Sequence, residues 1–412
     1  MMKRILTSLI ICISTYSFIC AGGTNDLKVQ VKNPNNFSLI DAFIEIEVEN
    51  VEQSFLIKNG NEVIPYQVIT NEEGIKSICL VLNLNANEEK ILSVSYIDER
   101  EEPNYPIRTY AELAMKPGNI YYDGKFRGNS FVNVTKLKVP VIHTDHDALF
   151  KYEGPGWESE KVGYRFYLDW RNAIDIFGKK KDQLILANVG IHDTVAKDDS
   201  YHSMQDWGMD IFKVGSSLGI GSLGMWYNGK VNMVSKTDSI YCEITKNGPI
   251  KSEVKTNYFG WRVGDNKYNL QAKLSITAGS RFTKNEIEIS DNPHNIVTGI
   301  AKYSGTEFFR SNFTGEWSYI ALYGDQTLVG DNDKLGLAIF YRKEDLIDLT
   351  EDNLSYIIKL RPMNGKTHYY FCAAWEQEEN GIKNLEQFKE YLFQTQQLLN
   401  NPIIVTIERS GN

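Results

Sequence analysis

Cysteine, histidine and positive charge are all scarce in this chain. Five cysteines occur in 412 residues, and only Cys79, Cys242 and Cys372 lie beyond an apolar leader. They are far apart and odd in number, so neither a disulfide framework nor a CxxC metal site is legible. Lys and Arg number 44 against 53 Asp and Glu, a net charge of -9. That balance excludes the basic surface needed for a sequence-independent grip on nucleic acid. No HExxH helix or P-loop is present, which leaves a zinc protease without support. Helix signals are few as well: Asn384 can cap one helix with a stripe of Leu385, Phe388, Leu392 and Leu399, stopped by Pro402.

What is there instead is alternation. "LKVQV", "AFIEIEVEN" and "SICLVLNLN" are short period-two runs, and Asn59-Gly60 is a hairpin signal. Residues 24–100 therefore read as a small β-sandwich, and "DEREEPNYP" as a linker. From 107 to 412 the Asp123-Gly124, Asn228-Gly229, Asn247-Gly248 and Asn364-Gly365 pairs separate further apolar or alternating segments. The spacing predicts a large antiparallel β-sandwich, so the chain as a whole is expected to be mainly β. Residues 1–22 resemble an export signal: Lys3 and Arg4, an apolar run from Ile5 to Ile19, then small residues from Ala21. The run is shorter than the ~20 residues that span a bilayer. The expected location is periplasmic or secreted, with no integral membrane segment after signal removal. Lipidation at Cys20 is the less favoured alternative, because Ser17, Phe18 and Ile19 make a poor lipobox.

Three stretches concentrate chemistry. In "YRFYLDWRN" (164–172), strand periodicity puts Val162, Tyr164, Phe166, Leu168 and Trp170 on a core face and Arg165, Tyr167, Asp169 and Arg171 on the other. The second face is either solvated or the floor of a groove whose arginines fit a carboxylate or sulfate. Upstream, Trp157 and Glu158 follow a Gly-Pro-Gly turn, and Trp157 is either a sugar platform or a core anchor. Four of the six histidines fall close together: His143 and His146, then His192, then His202. They suit general acid and base work. No cofactor is expected. A divalent metal would draw on His143, Asp145 and His192, although His143 and His146 point to opposite faces of an extended chain.

The third stretch, "DSYHSMQDWGMDIFKVGSSLGIGSLGMW" (199–226), would set Asp206 and Asp210 on one face of a short helix, near Tyr201, His202 and Trp207. Gly219, Gly221 and Gly224 match GxGxxG, but a hairpin-like "MWYNGKVNMV" follows instead of a helix. The dinucleotide fingerprint is therefore rejected in favour of a compact loop that lets a backbone approach the site or a neighbouring strand.

"KYEGPGWESEKVGYRFYLDWRNAIDIFGK" and "SYHSMQDWGMDIFKVGSSLGIGS" resemble a family of exported bacterial proteins, encoded with polysaccharide-degrading enzymes and long known only as a domain of unknown function. The resemblance covers most of the exported chain. It implies a large lyase-like or mutarotase-like sandwich (a supersandwich) and, since the family includes an ulvan oligosaccharide dehydratase, β-elimination on uronic-acid oligosaccharides. The residue chemistry for that reaction is present: Arg165 or Arg171 for the carboxylate, and His202, His143, Tyr201 or Tyr167 as base and acid. Trp157, Glu158, Asp169, Asp206, Trp207, Asp210 and Trp226 would contact the oligosaccharide. Two other functions compete: a glycoside hydrolase using two of Glu158, Asp169, Asp206 and Asp210, and a non-catalytic glycan-binding protein stacking sugars on Trp157, Trp207 and Trp226.

Overall fold

The computed structural model describes residues 27–48, 54–97, 103–118, 120–128, 130–191, 201–312 and 314–409. The leader with Cys20, and His192, lie outside them. Alternation becomes antiparallel pairing in both units of the chain, as the mainly β reading requires.

One compact unit runs to Pro106 and includes the chain from Gln397 onward. Its five-stranded sheet has the order Ile404–Arg409, Leu27–Lys32, Glu89–Tyr96, Phe55–Asn59, Glu62–Val63, and its three-stranded sheet the order Leu39–Val48, Lys76–Leu84, Tyr66–Thr70. Period two drives Val29, Val31, Ile57 and Leu92 of the first sheet against Ile44, Ile46, Leu80 and Leu82 of the second. Two details differ from the sequence pattern. Asn59 pairs with Glu62, so the two-residue turn is Gly60-Asn61, one position beyond the expected pair. Ile404–Arg409 pairs with Leu27–Lys32 along its length, so the last strand belongs to this sandwich, where the pattern had continued the second domain to 412.

The second unit spans Ile107–Gln396. A nine-stranded sheet and two five-stranded sheets share one core, to which Trp261, Leu274 and Tyr369 contribute from the first, Tyr164 and Ile176 from the second, and Ile300 and Ile358 from the third. Asp123-Gly124, Asn228-Gly229 and Asn364-Gly365 each have positive φ at both residues, the type I′ signature of a two-residue turn. Asn247-Gly248 does not; the Asn247 amide instead bonds both backbone groups of Ala111, at 2.9 Å each. The helix Leu385–Asn400 is capped as expected: Asn384 Oδ1 accepts the Gln387 N–H at 2.9 Å, and Phe388 and Leu392 are buried. Among the described residues no helix is long and apolar enough to cross a membrane.

The sheet that carries the site is built from β1 (Thr109–Glu112), β2 (Gly156–Ser159), β3 (Gly163–Phe166), β4 (Ile174–Lys179) and β5 (Gly208–Asp210), in the order β5-β4-β3-β2-β1. The glycine-rich loop packs beside it. Gly219 has φ 51°, and a Cβ there would lie 2.3 Å from the carbonyl oxygen of Ile174, at the start of β4. A Gly219→Ala variant is expected to lose roughly 1–3 kcal/mol in stability, read as an earlier urea midpoint with an unchanged slope.

Candidate active site

Period two holds on β3 and then stops. Tyr164 and Phe166 enter the core as expected. The opposite face, however, is buried too: the Arg165 side chain is 3% exposed, and Tyr167 and Asp169 are also buried. The chain leaves the strand after Phe166 and turns at Asp169–Asn172, where Asn172 has φ 44° and Asp169 Oδ1 accepts the Arg171 N–H at 2.8 Å. That turn places Trp170 outside, 48% exposed, which corrects its assignment to the core face.

Arg165 is held between two carboxylates. Its Nη2 donates to Asp175 at 2.7 Å and to Asp210 at 2.6 Å, and its Nε to Asp175 at 3.1 Å. The sheet register makes this pairing: Arg165 lies opposite Asp175 on β4, and Phe177 of β4 lies opposite Asp210 on β5. Arg165 also donates to the hydroxyls of Tyr167 (3.1 Å) and Tyr201 (3.3 Å), and the Tyr167 hydroxyl donates to Asp175. Two buried carboxylates sharing one guanidinium have a surplus of negative charge. Burial, followed by the Asp210 charge, pushes the Asp175 carboxyl up to about 7 despite Arg165. Burial likewise raises the Tyr201 hydroxyl to about 12.

A second arginine closes the outer side. Arg171 Nε donates to Asp169 at 2.9 Å and its Nη2 to Glu153 at 2.8 Å, while the guanidinium carbon sits 3.9 Å from the Tyr167 ring centroid. Its Nη2 also donates to Asp169; no hydrogen bond within the described protein uses Nη1. Burial would raise the Glu153 carboxyl, but the Arg165 and Arg171 charges outweigh it and hold it low. Glu153 is presented by a strained segment, with φ 41° at Tyr152 and 71° at Glu153. Non-glycine residues in that region cost of order 1–3 kcal/mol each. The anchor is Glu112 of β1, which accepts the Tyr152 hydroxyl and lies 2.6 Å from Lys151 Nζ.

The rim is where the cluster meets water. His202 Nδ1 lies 3.2 Å from Asp210 Oδ2, its side chain 53% exposed, and its ring sits 4.3 Å from that of Tyr201. His146 is exposed, with Nδ1 3.7 Å from Glu153 and 3.5 Å from Asp145. The Trp170 indole N–H donates to Asp145 at 3.1 Å and, more than any other contact, lowers that carboxyl's pKa.

The structure thus joins Arg165, Tyr167, Asp169, Arg171, Tyr201, His202 and Asp210, and corrects the other expectations. Trp157 is fully buried, stacked on Tyr164 with its N–H on Thr283, so it is a core anchor and cannot be a platform. Glu158 is buried, paired with Lys179 and bonded to the Ile185 and Leu186 N–H groups, so it cannot reach substrate. His143 is buried against Asp147 (2.8 Å) and Phe150, which removes it as base, acid or exposed metal ligand. The segment with Asp206 and Asp210 is a turn leading into β5 rather than a helix; Asp206 points to water and Asp210 is buried. Trp207 packs on Phe177. Trp226 lies on strand Gly224–Tyr227 of another sheet, under Lys359. Asp145 joins the rim through Trp170, but among the described residues no group of three or more His, Cys, Asp or Glu side chains could hold a metal. Sequence reasoning missed Asp175 and Glu153. A lone carboxylate in the apolar run "AIDIFGK" was the available signal for the first, and nothing marked the second.

The family model described as "Domain of unknown function (DUF4861)" matches residues 31–405. An uncharacterized protein, P7, of Formosa agariphila is 24% identical over 348 residues, covering 77% of this chain and 82% of the relative. Two solved structures from Enterococcus faecalis align with 94% of this chain: a protein in the glycosyl hydrolase family 38 (TM-score 0.43, 8% identity, 47% of that chain) and an alpha-mannosidase (TM-score 0.42, 9% identity, 46% of that chain). The chain spans about half the length of those two structures.

Proposed function

From the premise that this chain belongs to the family described as Domain of unknown function (DUF4861), we propose that it is an exported carbohydrate-active enzyme that eliminates water or a sugar leaving group from C4 of uronic-acid oligosaccharides, as a dehydratase or lyase. The observation that carries the reading is the His202–Asp210 pair. A buried carboxylate fixes one imidazole nitrogen while the ring stands half in water, an arrangement suited to taking a proton from a bound ligand.

The reaction then runs on residues of the chain itself. His202 Nε2 takes the proton from C5 of the uronate. The C5–H electrons form the C4=C5 double bond, and the C4–O bond breaks. The imidazolium that His202 has become returns that proton to the departing oxygen, while Tyr201, buried with Tyr152 and Phe177, backs the His202 ring from 4.3 Å. Arg171 replaces Arg165 as the group that meets the substrate carboxylate, through its Nη1; Arg165 is buried and occupied by two carboxylates. Its charge stabilises the enolate-like state that develops after C5 loses its proton.

The hydrolase alternative needs two reachable carboxylates about 5–9.5 Å apart. Of its candidates Glu158, Asp169 and Asp210 are buried and already paired, and only Asp206 is exposed, which favours elimination. Pectin, ulvan and glycosaminoglycan oligosaccharides incubated with the purified protein are expected to give an ultraviolet-absorbing product, with loss of water or chain cleavage without its uptake. Saturated products that together have gained one water per bond cleaved would sink the reading.

A further inference from the structure

Trp170 is the exposed member of a set of seven tryptophans. Trp157, Trp261, Trp317 and Trp375 are buried, and Trp207 and Trp226 are partly covered. Tryptophan is strongly buried on average, so an indole left half in water is the unusual case. Nor is Trp170 on a loose segment. Asp169 before it is buried beneath Arg171, Asn172 after it donates to the Tyr258 hydroxyl at 3.1 Å, and the indole N–H is fixed on Asp145. Both flanks and the ring edge are therefore held while the apolar surface faces solvent.

We propose that Trp170 is the platform on which a pyranose ring of the substrate stacks, a role that rests on the oligosaccharide reading of the adjoining site. The flat apolar indole matches the C–H face of a sugar ring, and polar groups beside it can bond the hydroxyls at the ring's edge. Those groups are present: Asp145 accepts the indole N–H, the exposed His146 lies 3.5 Å from Asp145, and Glu153 links His146 to Arg171. A sugar stacked on Trp170 would adjoin the arginine that receives the uronate carboxylate. The platform is preorganised, so little ordering entropy is lost when the sugar binds.

Kinetics and fluorescence test this together, with tetragalacturonate and an ulvan tetrasaccharide as anionic probes and cellotetraose as the neutral one. Trp170→Ala is expected to raise KM by at least about tenfold, the scale of losing one aromatic contact at the centre of an interface, with kcat nearly unchanged. Trp170→Phe should recover much of that affinity, and Trp226→Ala should match the wild type. Acrylamide quenching of wild-type fluorescence should fall when the effective probe is added, and Trp170→Ala should lack that protection. If the wild type forms unsaturated product and Trp170→Ala does so with unchanged KM, the platform is overturned and the elimination reading stands. Binding that needs Trp170 without any turnover upholds the platform and overturns the elimination. Absence of both binding and turnover with all three probes overturns both.

Discussion

Replacing His202 with alanine is expected to cost about 10²–10⁴-fold in turnover, the range for losing a general base, while leaving the unfolding midpoint almost unchanged. The two halves of that expectation come from the same geometry. The side chain is 53% exposed and its polar contact among the described residues is one 3.2 Å approach to Asp210, so removing it opens no core cavity; substitutions of that kind usually stay within about 0.5 kcal/mol. Asp210→Asn should produce a loss of similar kind, because the amide no longer holds the imidazole in one tautomer, as the buried aspartate of a catalytic triad does. It should also cost stability, since Asp210 is one of Arg165's two partners. Initial rates of ultraviolet-absorbing product, read beside thermal melts, separate the cases. A His202→Ala enzyme with wild-type turnover would remove His202 as the base.

Replacing Arg165 with methionine has the largest expected effect on folding. It leaves Asp175 and Asp210 in the interior without their cation, and breaking a buried pair in this way costs about 3–5 kcal/mol. The loss should depend on pH in a defined direction. Asp175 rises from an ordinary 3.8 to about 7 in the folded protein. A carboxyl raised on folding contributes stability that is full below the unfolded value and is lost as pH climbs through the folded one. Without Arg165 the Asp175 carboxyl resists ionisation further, because it loses the charge that opposes its burial. The stability gap between wild type and Arg165→Met, measured by urea unfolding, should therefore widen from pH 5 to pH 8. Arg165→Lys restores a charge but not the planar fork, and should recover only part of the loss. A deficit of the same size at both pH values would mean that Arg165 acts through packing rather than charge.

Strand and turn chemistry made the architecture legible. Asp123-Gly124, Asn228-Gly229 and Asn364-Gly365 specify their turns locally, and runs such as "LKVQV" need only period two to find the core. The site was half legible for a physical reason. Period two correctly put Arg165 opposite Tyr164 and Phe166, but a strand with alternating charges ordinarily faces water. What buries Arg165 is compensation from Asp175 and Asp210, 10 and 45 positions away, and register across three strands cannot be read from one strand. The same extrapolation failed beyond Phe166, where a turn centred on Asp169–Asn172 reversed the side on which Trp170 stands. Glu153 depends on left-handed backbone at two ordinary residues, which leaves no compositional trace.

The pairing of Ile404–Arg409 with Leu27–Lys32 also makes one edge of the small sandwich depend on a remote part of the chain. Gln30 and Glu408 share a 3.0 Å side-chain hydrogen bond across 378 positions. Until Ile404–Arg409 docks, Leu27–Lys32 has one backbone edge unpaired. An open strand edge is a template for wrong partners, and the waiting time rather than the final stability bears the burden, because the entropy of closing a loop grows only logarithmically with its length. The small sandwich is therefore closed by a strand far away in sequence from the one it pairs with. A chain truncated just before residue 404 would keep the sheet of Leu27–Lys32 with an open edge.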